Sequence, residues 1–210
     1  MLAGAVAVLV LALPPTRRLV AKVGEAVERA VAASRGEAAR ERTLAEYMRR
    51  YGIEHEMAAA IERAARTEGV KLDLAFRLVR VESEFRERAV SPVGAIGLTQ
   101  LMPETAKELQ PGITREQIFE RDTNLRLGFR YFRHLLRHYD GDTETALHAY
   151  NRGIGTVARI RAAGGDPANG YADQVLGAKG ASPVGPPPPA AALPGDAPPH
   201  ESAPARLPAL

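Results

Sequence analysis

Between Asn124 and Tyr139 the apolar residues recur with a helical period over about four turns, and this stretch decides which folds are open to the chain. At roughly 100° per residue, Leu125, Gly128, Phe129, Phe132, Leu135, Leu136 and Tyr139 fall in one arc about 120° wide. Arg126, Arg130, Arg133 and Arg137 fall opposite. Such a helix must bury its stripe against something, and the neighbouring sequence offers more helices. Helical patterns appear near 54–68, 72–85, 103–110, 142–151 and 153–163, with a weaker one near 171–176; no alternating strand pattern is convincing. Helix-on-helix packing is the cheapest way to cover these stripes, so residues 54–177 are expected to form an all-α domain.

Three flanking segments have a different character. Residues 1–13 carry no polar side chain and are stopped by Pro14-Pro15 and Arg17-Arg18. As a helix they would span only ~20 Å against a ~30 Å hydrocarbon core. The length suits the apolar region of a secretory signal, although no Lys or Arg precedes it and no A-x-A cleavage site follows closely. Residues 1–16 are read as an export signal or short membrane anchor, with a buried core helix as the alternative. Residues 17–53, rich in Ala, Glu and Arg with a weak stripe at Val20, Val23, Val27 and Val31, read as a charged helical stalk or linker. Residues 178–210 hold ten of the 16 prolines and read as a disordered Pro/Ala-rich tail, a spacer by default.

Composition removes several function classes. The chain has 210 residues, enough for one ordinary domain with extensions, and no cysteine, which excludes a disulfide scaffold, a Cys-ligated zinc site and a thiol nucleophile. The net charge of +3 is too small for a dedicated nucleic-acid binder, and it is unevenly placed. Residues 17–50 carry nine positive and five negative groups, whereas 51–177 carry 17 and 18. A near-neutral domain therefore sits behind a basic tether, a distribution that suits a membrane surface or an anionic wall.

One carboxylate stands out. In the helix expected from Leu72 to Phe85, Leu74, Ala75, Leu78, Val79, Val81 and Phe85 define an apolar arc roughly 160° wide, and Glu82 lies near its middle. Glu84 projects instead beside Arg77, with Arg80 one turn back, and Phe76 is an aromatic on the polar side. A carboxylate among apolar neighbours loses hydration, so its pKa should rise toward neutrality. Glycoside cleavage needs such a proton donor. The same projection also fits a Glu that reaches out to solvent at the helix end or pairs with an arginine.

The stretches VESEF, AVSPVGAIGLTQLMPETA and ALHAYNRG resemble the catalytic domain of soluble-type lytic transglycosylases, glycoside hydrolase family 23, which has a lysozyme-like fold. The similarity covers about 54–177. It rests on Glu82-Ser83, Gly97-Leu98-Thr99-Gln100, Ala149-Tyr150-Asn151 and the tyrosine of YADQV, Tyr171, in that order. The resemblance implies cleavage of the β-1,4 bond between N-acetylmuramic acid and N-acetylglucosamine in peptidoglycan, without water, to 1,6-anhydromuramyl products. It implies Glu82 as acid and then base, and Ser83, Gln100, Tyr150, Asn151 and Tyr171 as substrate-binding residues. Because an internal hydroxyl replaces water, no second carboxylate is needed.

For each supporting residue a plain structural role stands beside the functional one. Ser83 could bond back to a helix carbonyl, Gln100 could be an exposed loop amide, Tyr150 could be a packed ring and Asn151 a helix cap before Gly153. Gly94 and Gly97 are expected to shape the loop, and Pro103 to open the next helix. Thr99 replaces a usual Met, which removes an apolar cleft contact, and His148, Arg152 and Arg86 also depart from the family pattern. His134 and His138 have a zinc-compatible spacing but share the arginine face and lack a third ligand, so no metal and no cofactor is assigned. The expected partner is the glycan strand of peptidoglycan, with a membrane surface as a second contact and no nucleic acid. The expected location is extracytoplasmic, with anchoring through the N-terminus. The rival readings are a goose-type lysozyme-like muramidase and a non-catalytic peptidoglycan-binding scaffold.

Overall fold

The computed structural model describes residues 14–177, with side chains from Leu19 onward. The signal or anchor reading, which rests on residues 1–13, and the tail reading for 178–210 lie outside the described residues. The chain divides into two compact units, the first ending at His55 and the second beginning at Glu56. The first contains α1 (Pro14–Tyr51), which runs through the charged Ala/Glu/Arg segment. Its stripe of Leu19, Val20, Val23, Val27 and Val31 is exposed.

The second unit is all-α. Its helices are α2 (His55–Glu68), α3 (Leu72–Ser83), α4 (Pro103–Leu109), α5 (Arg115–Phe119), α6 (Arg121–His138), α7 (Thr143–Arg152), α8 (Ile154–Ala162) and α9 (Tyr171–Leu176). Among the described residues the only extended pairing is two isolated antiparallel bridges, Val90 with Ile96 and Ile96 with Leu101. Pro103 opens α4, where its missing N–H costs no hydrogen bond. The sequence pattern did not include α5. Its start carries a capping box, in which the Thr114 hydroxyl accepts from Gln117 N–H and Gln117 Oε1 accepts from Thr114 N–H.

Helix α6 is the centre of the unit, packed on α4, α5 and α7. It is covered more widely than one stripe requires. Leu127 and Tyr131 lie outside the expected arc and are buried, whereas Leu136 and Tyr139, within it but at the C-terminal end of the helix, are only half-buried. Leu127 joins Ile96, Leu101, Ala106, Ile113 and Ile118 in a small apolar cluster on the far side, which explains the wider burial. The arginine face is not uniformly solvated either. Arg130 and Arg133 close on the buried Glu68 of α2 at 3.1 and 3.2 Å.

Helix α3 corrects the wheel in the same way. Phe76, placed on the polar side by projection, is fully buried, so α3 is enclosed over more of its circumference than its apolar arc. The helix stops directly after Ser83: Glu84 (φ 52°) and Phe85 (φ 63°) take left-handed conformations, and Glu84 N–H closes the last turn on Arg80 O at 2.9 Å. Helix α9 packs on both α3 and α7 and so joins two elements that carry site residues.

Candidate active site

Glu82 occupies the last turn of α3. Its Oε1 accepts a hydrogen bond from the Tyr171 hydroxyl at the start of α9, and its Oε2 is buried without a partner. No cation faces it. Burial therefore dominates and pushes the carboxyl from an ordinary 4.5 up to about 8, while the Tyr171 bond pulls it partly back. At neutral pH such a group holds its proton and can give it away. Tyr150 and Tyr171 are themselves raised well above the ordinary phenol value, first by burial and then by the nearby Glu82 charge. Both phenols therefore remain hydrogen-bond donors at any pH at which the protein works.

The other two nearby carboxylates are occupied elsewhere. Glu84 is exposed and pairs with Arg86 at 3.7 Å. Glu87 is held by Arg121 at 2.6 Å. Only Glu82 combines burial with a free oxygen, which agrees with its place in the apolar arc.

The loop after α3 is folded inward against α6 by Asn124. The Asn124 amide makes four kinds of contact: Oδ1 accepts from Thr99 N–H and from the Thr99 hydroxyl, both at 2.9 Å, and Nδ2 donates to Ile96 O and Ile118 O. Gly97 (φ 75°) packs so close to this amide that a Cβ would overlap Asn124 Nδ2. Gly128 of α6 gives the same clearance to Thr99. Thr99 is thus fully buried and faces α6. Its hydroxyl has a structural partner in Asn124 Oδ1.

The remaining predicted residues converge on this loop and on α9. Ser83 is buried, its hydroxyl against Leu98 O (2.8 Å) and Val79 O (3.2 Å), which ties the end of α3 to the loop. Gln100, itself at φ 45°, turns its amide inward, where Nε2 donates to Gly97 O at 2.9 Å. Tyr150 donates to Thr99 O at 2.8 Å, and its ring packs on Tyr131 and Phe132. Asn151 lies inside α7 rather than capping it, since the helix continues to Arg152 and ends at Gly153. Its Oδ1 accepts from Asn169 Nδ2 at 2.8 Å, and its own Nδ2 is buried without a partner. The structure therefore brings Glu82 and Tyr171 into direct contact, places Tyr150 close to them, and joins Ser83, Gln100 and Asn151 to the same set through backbone and amide bonds.

His148 is buried, with Nε2 3.8 Å from Glu144, and Arg152 donates to Pro167 O at 3.0 Å. His134 and His138 stack with ring centroids 6.4 Å apart, and among the described residues no cluster of three metal-ligating side chains exists. Sequence reasoning did not single out Asn124 or Asn169. Asn124 borders the apolar arc of α6, and Asn169-Gly170 is a turn signal, but neither pattern names the distant partner.

The fold is an all-α domain in which one carboxyl, Glu82, is withdrawn from solvent and left without a paired cation. The chain belongs to the Transglycosylase SLT domain family, which matches residues 59–169. Among its relatives, the soluble lytic murein transglycosylase of Salmonella typhimurium is 31% identical over 105 residues, covering 45% of this chain and 16% of that protein. The membrane-bound lytic murein transglycosylase C of Haemophilus ducreyi is 31% identical over 114 residues, 48% and 31% of the two chains. The transglycosylase of Enterobacteria phage PRD1 is 43% identical over 76 residues, 36% and 27%. In structure, the 70-kDa soluble lytic transglycosylase in complex with bulgecin A matches with a TM-score of 0.53 and 25% identity, over 62% of this chain and 24% of that one. The chain thus spans less than a third of the length of these relatives.

Proposed function

We propose that this chain is a peptidoglycan lytic transglycosylase that cleaves the β-1,4 bond between N-acetylmuramic acid and N-acetylglucosamine. The observation that carries the reading is the Glu82 carboxyl, enclosed, uncompensated by any cation and with Oε2 free, in a domain of this family. Protonated Glu82 gives its proton to the glycosidic oxygen as the C1–O bond breaks. The resulting carboxylate removes the proton from the muramyl 6-hydroxyl, whose oxygen closes on C1 to form the 1,6-anhydro ring. The proton returns to Glu82 and the catalyst is regenerated, with no water consumed. The engagement of Glu84 and Glu87 with arginines supports a mechanism with one carboxylate.

In this reading Tyr171 orients Glu82, Tyr150 and Asn151 contribute to the cleft wall, and Ser83 and Gln100 fix the loop that receives the sugar. The domain is assigned to residues 54–177, behind a stalk over 17–53. The substrate places the enzyme outside the cytoplasm. No helix of the described residues is long and apolar enough to cross a membrane. The N-terminal apolar run is read as an export signal or short anchor, with the basic stalk beside a membrane surface. Mass spectrometry of purified peptidoglycan after digestion tests the reaction. Anhydromuramyl ends are expected. Reducing muramic ends would make the protein a muramidase, and intact glycan would leave a wall-binding scaffold.

A further inference from the structure

Helix α9 delivers Tyr171 to Glu82, yet it is only six residues long and follows a largely exposed loop. So short a helix has little intrinsic stability and is held from outside: Tyr171, Ala172 and Val175 are buried, Arg77 donates to Leu176 O at its end, and the loop adds bonds at its entry. Two side-chain bonds hang the loop on the last turn of α7: Arg152 donates to Pro167 O at 3.0 Å, and Asn169 Nδ2 donates to Asn151 Oδ1 at 2.8 Å. Only the second also touches α9. Asn169 Oδ1 accepts the Tyr171 backbone N–H at 3.3 Å, across Gly170 at φ 81°.

The direction of these bonds follows from chemistry. A backbone N–H can only donate, so the Asn169 oxygen must face Tyr171 and its NH2 must face Asn151. Asn151 must then turn its own oxygen toward Asn169. The Asn151 Nδ2 is thereby aimed elsewhere, buried and unpartnered, at a residue completely shielded from solvent. A buried amide donor without a partner is costly, so this orientation is imposed by the bond to Asn169. One side chain thus fixes both the entry of the helix that carries Tyr171 and the orientation of the Asn151 amide.

We propose that Asn169 is a positioning residue of the active site, holding Tyr171 on Glu82 and fixing the orientation of the buried Asn151 amide. The role in catalysis rests on Glu82 being the acid. Two neutral variants separate the two bonds. Asn169→Ala loses both. Asn169→Ser keeps a short acceptor next to the Tyr171 N–H but does not reach Asn151.

The test combines kinetics on peptidoglycan with a carbon-13 titration of the Glu82 carboxyl by NMR, which reads the Tyr171 contact whether or not turnover occurs. Asn169→Ala is expected to lower kcat about tenfold and to move the Glu82 midpoint upward, because the phenol bond that lowers it is weakened. Asn169→Ser is expected to restore the midpoint and most of kcat. Wild-type midpoint and wild-type kinetics in folded Asn169→Ala, with only the melting temperature lowered, would overturn the proposal and leave a loop clamp. If the wild-type protein produces no anhydromuramyl ends, the reaction assignment fails, and the midpoint comparison still decides whether Asn169 holds Tyr171 on Glu82. Should Asn169→Ala not fold, a Glu82 midpoint unmoved between wild type and Asn169→Gly, together with an unchanged kcat, refutes it.

Discussion

Two glutamates near helix C-termini are drawn into this domain, and their surroundings differ in every respect that matters chemically. Glu68 at the end of α2 is met by Arg130 on one oxygen and Arg133 on the other. Glu82 at the end of α3 meets a phenol on one oxygen and nothing on the other. Glu68 is buried as a whole residue and Glu82 is half-buried with its Oε2 withdrawn from solvent; compensation is what separates them. A buried carboxyl between two guanidinium groups joins helices, whereas one left without a cation keeps its proton and becomes a reagent. The contrast shows that searching for buried acids is not enough, and that the second oxygen must be inspected.

The contrast is broken most severely by Glu82→Gln. The amide fits the same enclosure but has no acid proton, so turnover is expected to fall by about three orders of magnitude or more while the helical circular dichroism spectrum is retained. Retained turnover would transfer the acid role to another group.

The same substitution sharpens the comparison through pH. Between about 4.5 and about 8 the folded chain holds a proton on Glu82 that the unfolded chain has released, so unfolding free energy falls as pH rises through that window. The penalty is absent below the window and complete above it. Glu82→Gln should remove this slope and melt above the wild type at pH 8, by up to a few kcal/mol. Activity should decline as pH rises past about 8, where the donor is lost.

At the other corner, Glu68→Ala leaves Arg130 and Arg133 facing each other without a counter-charge. Both arginines are about one-third exposed, which moderates the loss to about 2 kcal/mol in urea unfolding, with turnover per folded molecule unchanged. Changed turnover would mean that the corners communicate. The smallest effect is expected for Tyr171→Phe. Removing the phenol leaves both Glu82 oxygens bare, raises the carboxyl further and shifts the basic limb of the activity profile upward, with about tenfold lower turnover.

Much of this was legible in the residues. Periodicity located α2, α3, α4, α6, α7, α8 and α9 within a few positions, because each carries an apolar stripe or a capping signal. Glu82 announced itself as a charge in an apolar arc. What a projection cannot show is a second layer of packing. Phe76, Leu127 and Tyr131 are buried by neighbours that approach from outside the main stripe. Arg130 and Arg133 read as solvated until α2 brought Glu68 to them. Helix α5 is too short for periodicity, although Thr114 and Gln117 already spelled its capping box. Polar residues were the least legible. Asn124, Asn169, Ser83 and Thr99 act through partners 15 to 28 residues away, and spacing alone carries no information about where an amide or hydroxyl will find its acceptor.

Helix α3 ends one residue after Glu82, and the chain then turns through two left-handed residues into the loop that Asn124 binds. Glu82 is therefore mounted on a rod, and the loop is a separate run of chain fastened to that rod by the Ser83 hydroxyl on Leu98 O. Val90 and Val93 are exposed positions of the loop, so substitutions there change its outer surface at little cost to the buried part that Asn124 and Ser83 hold.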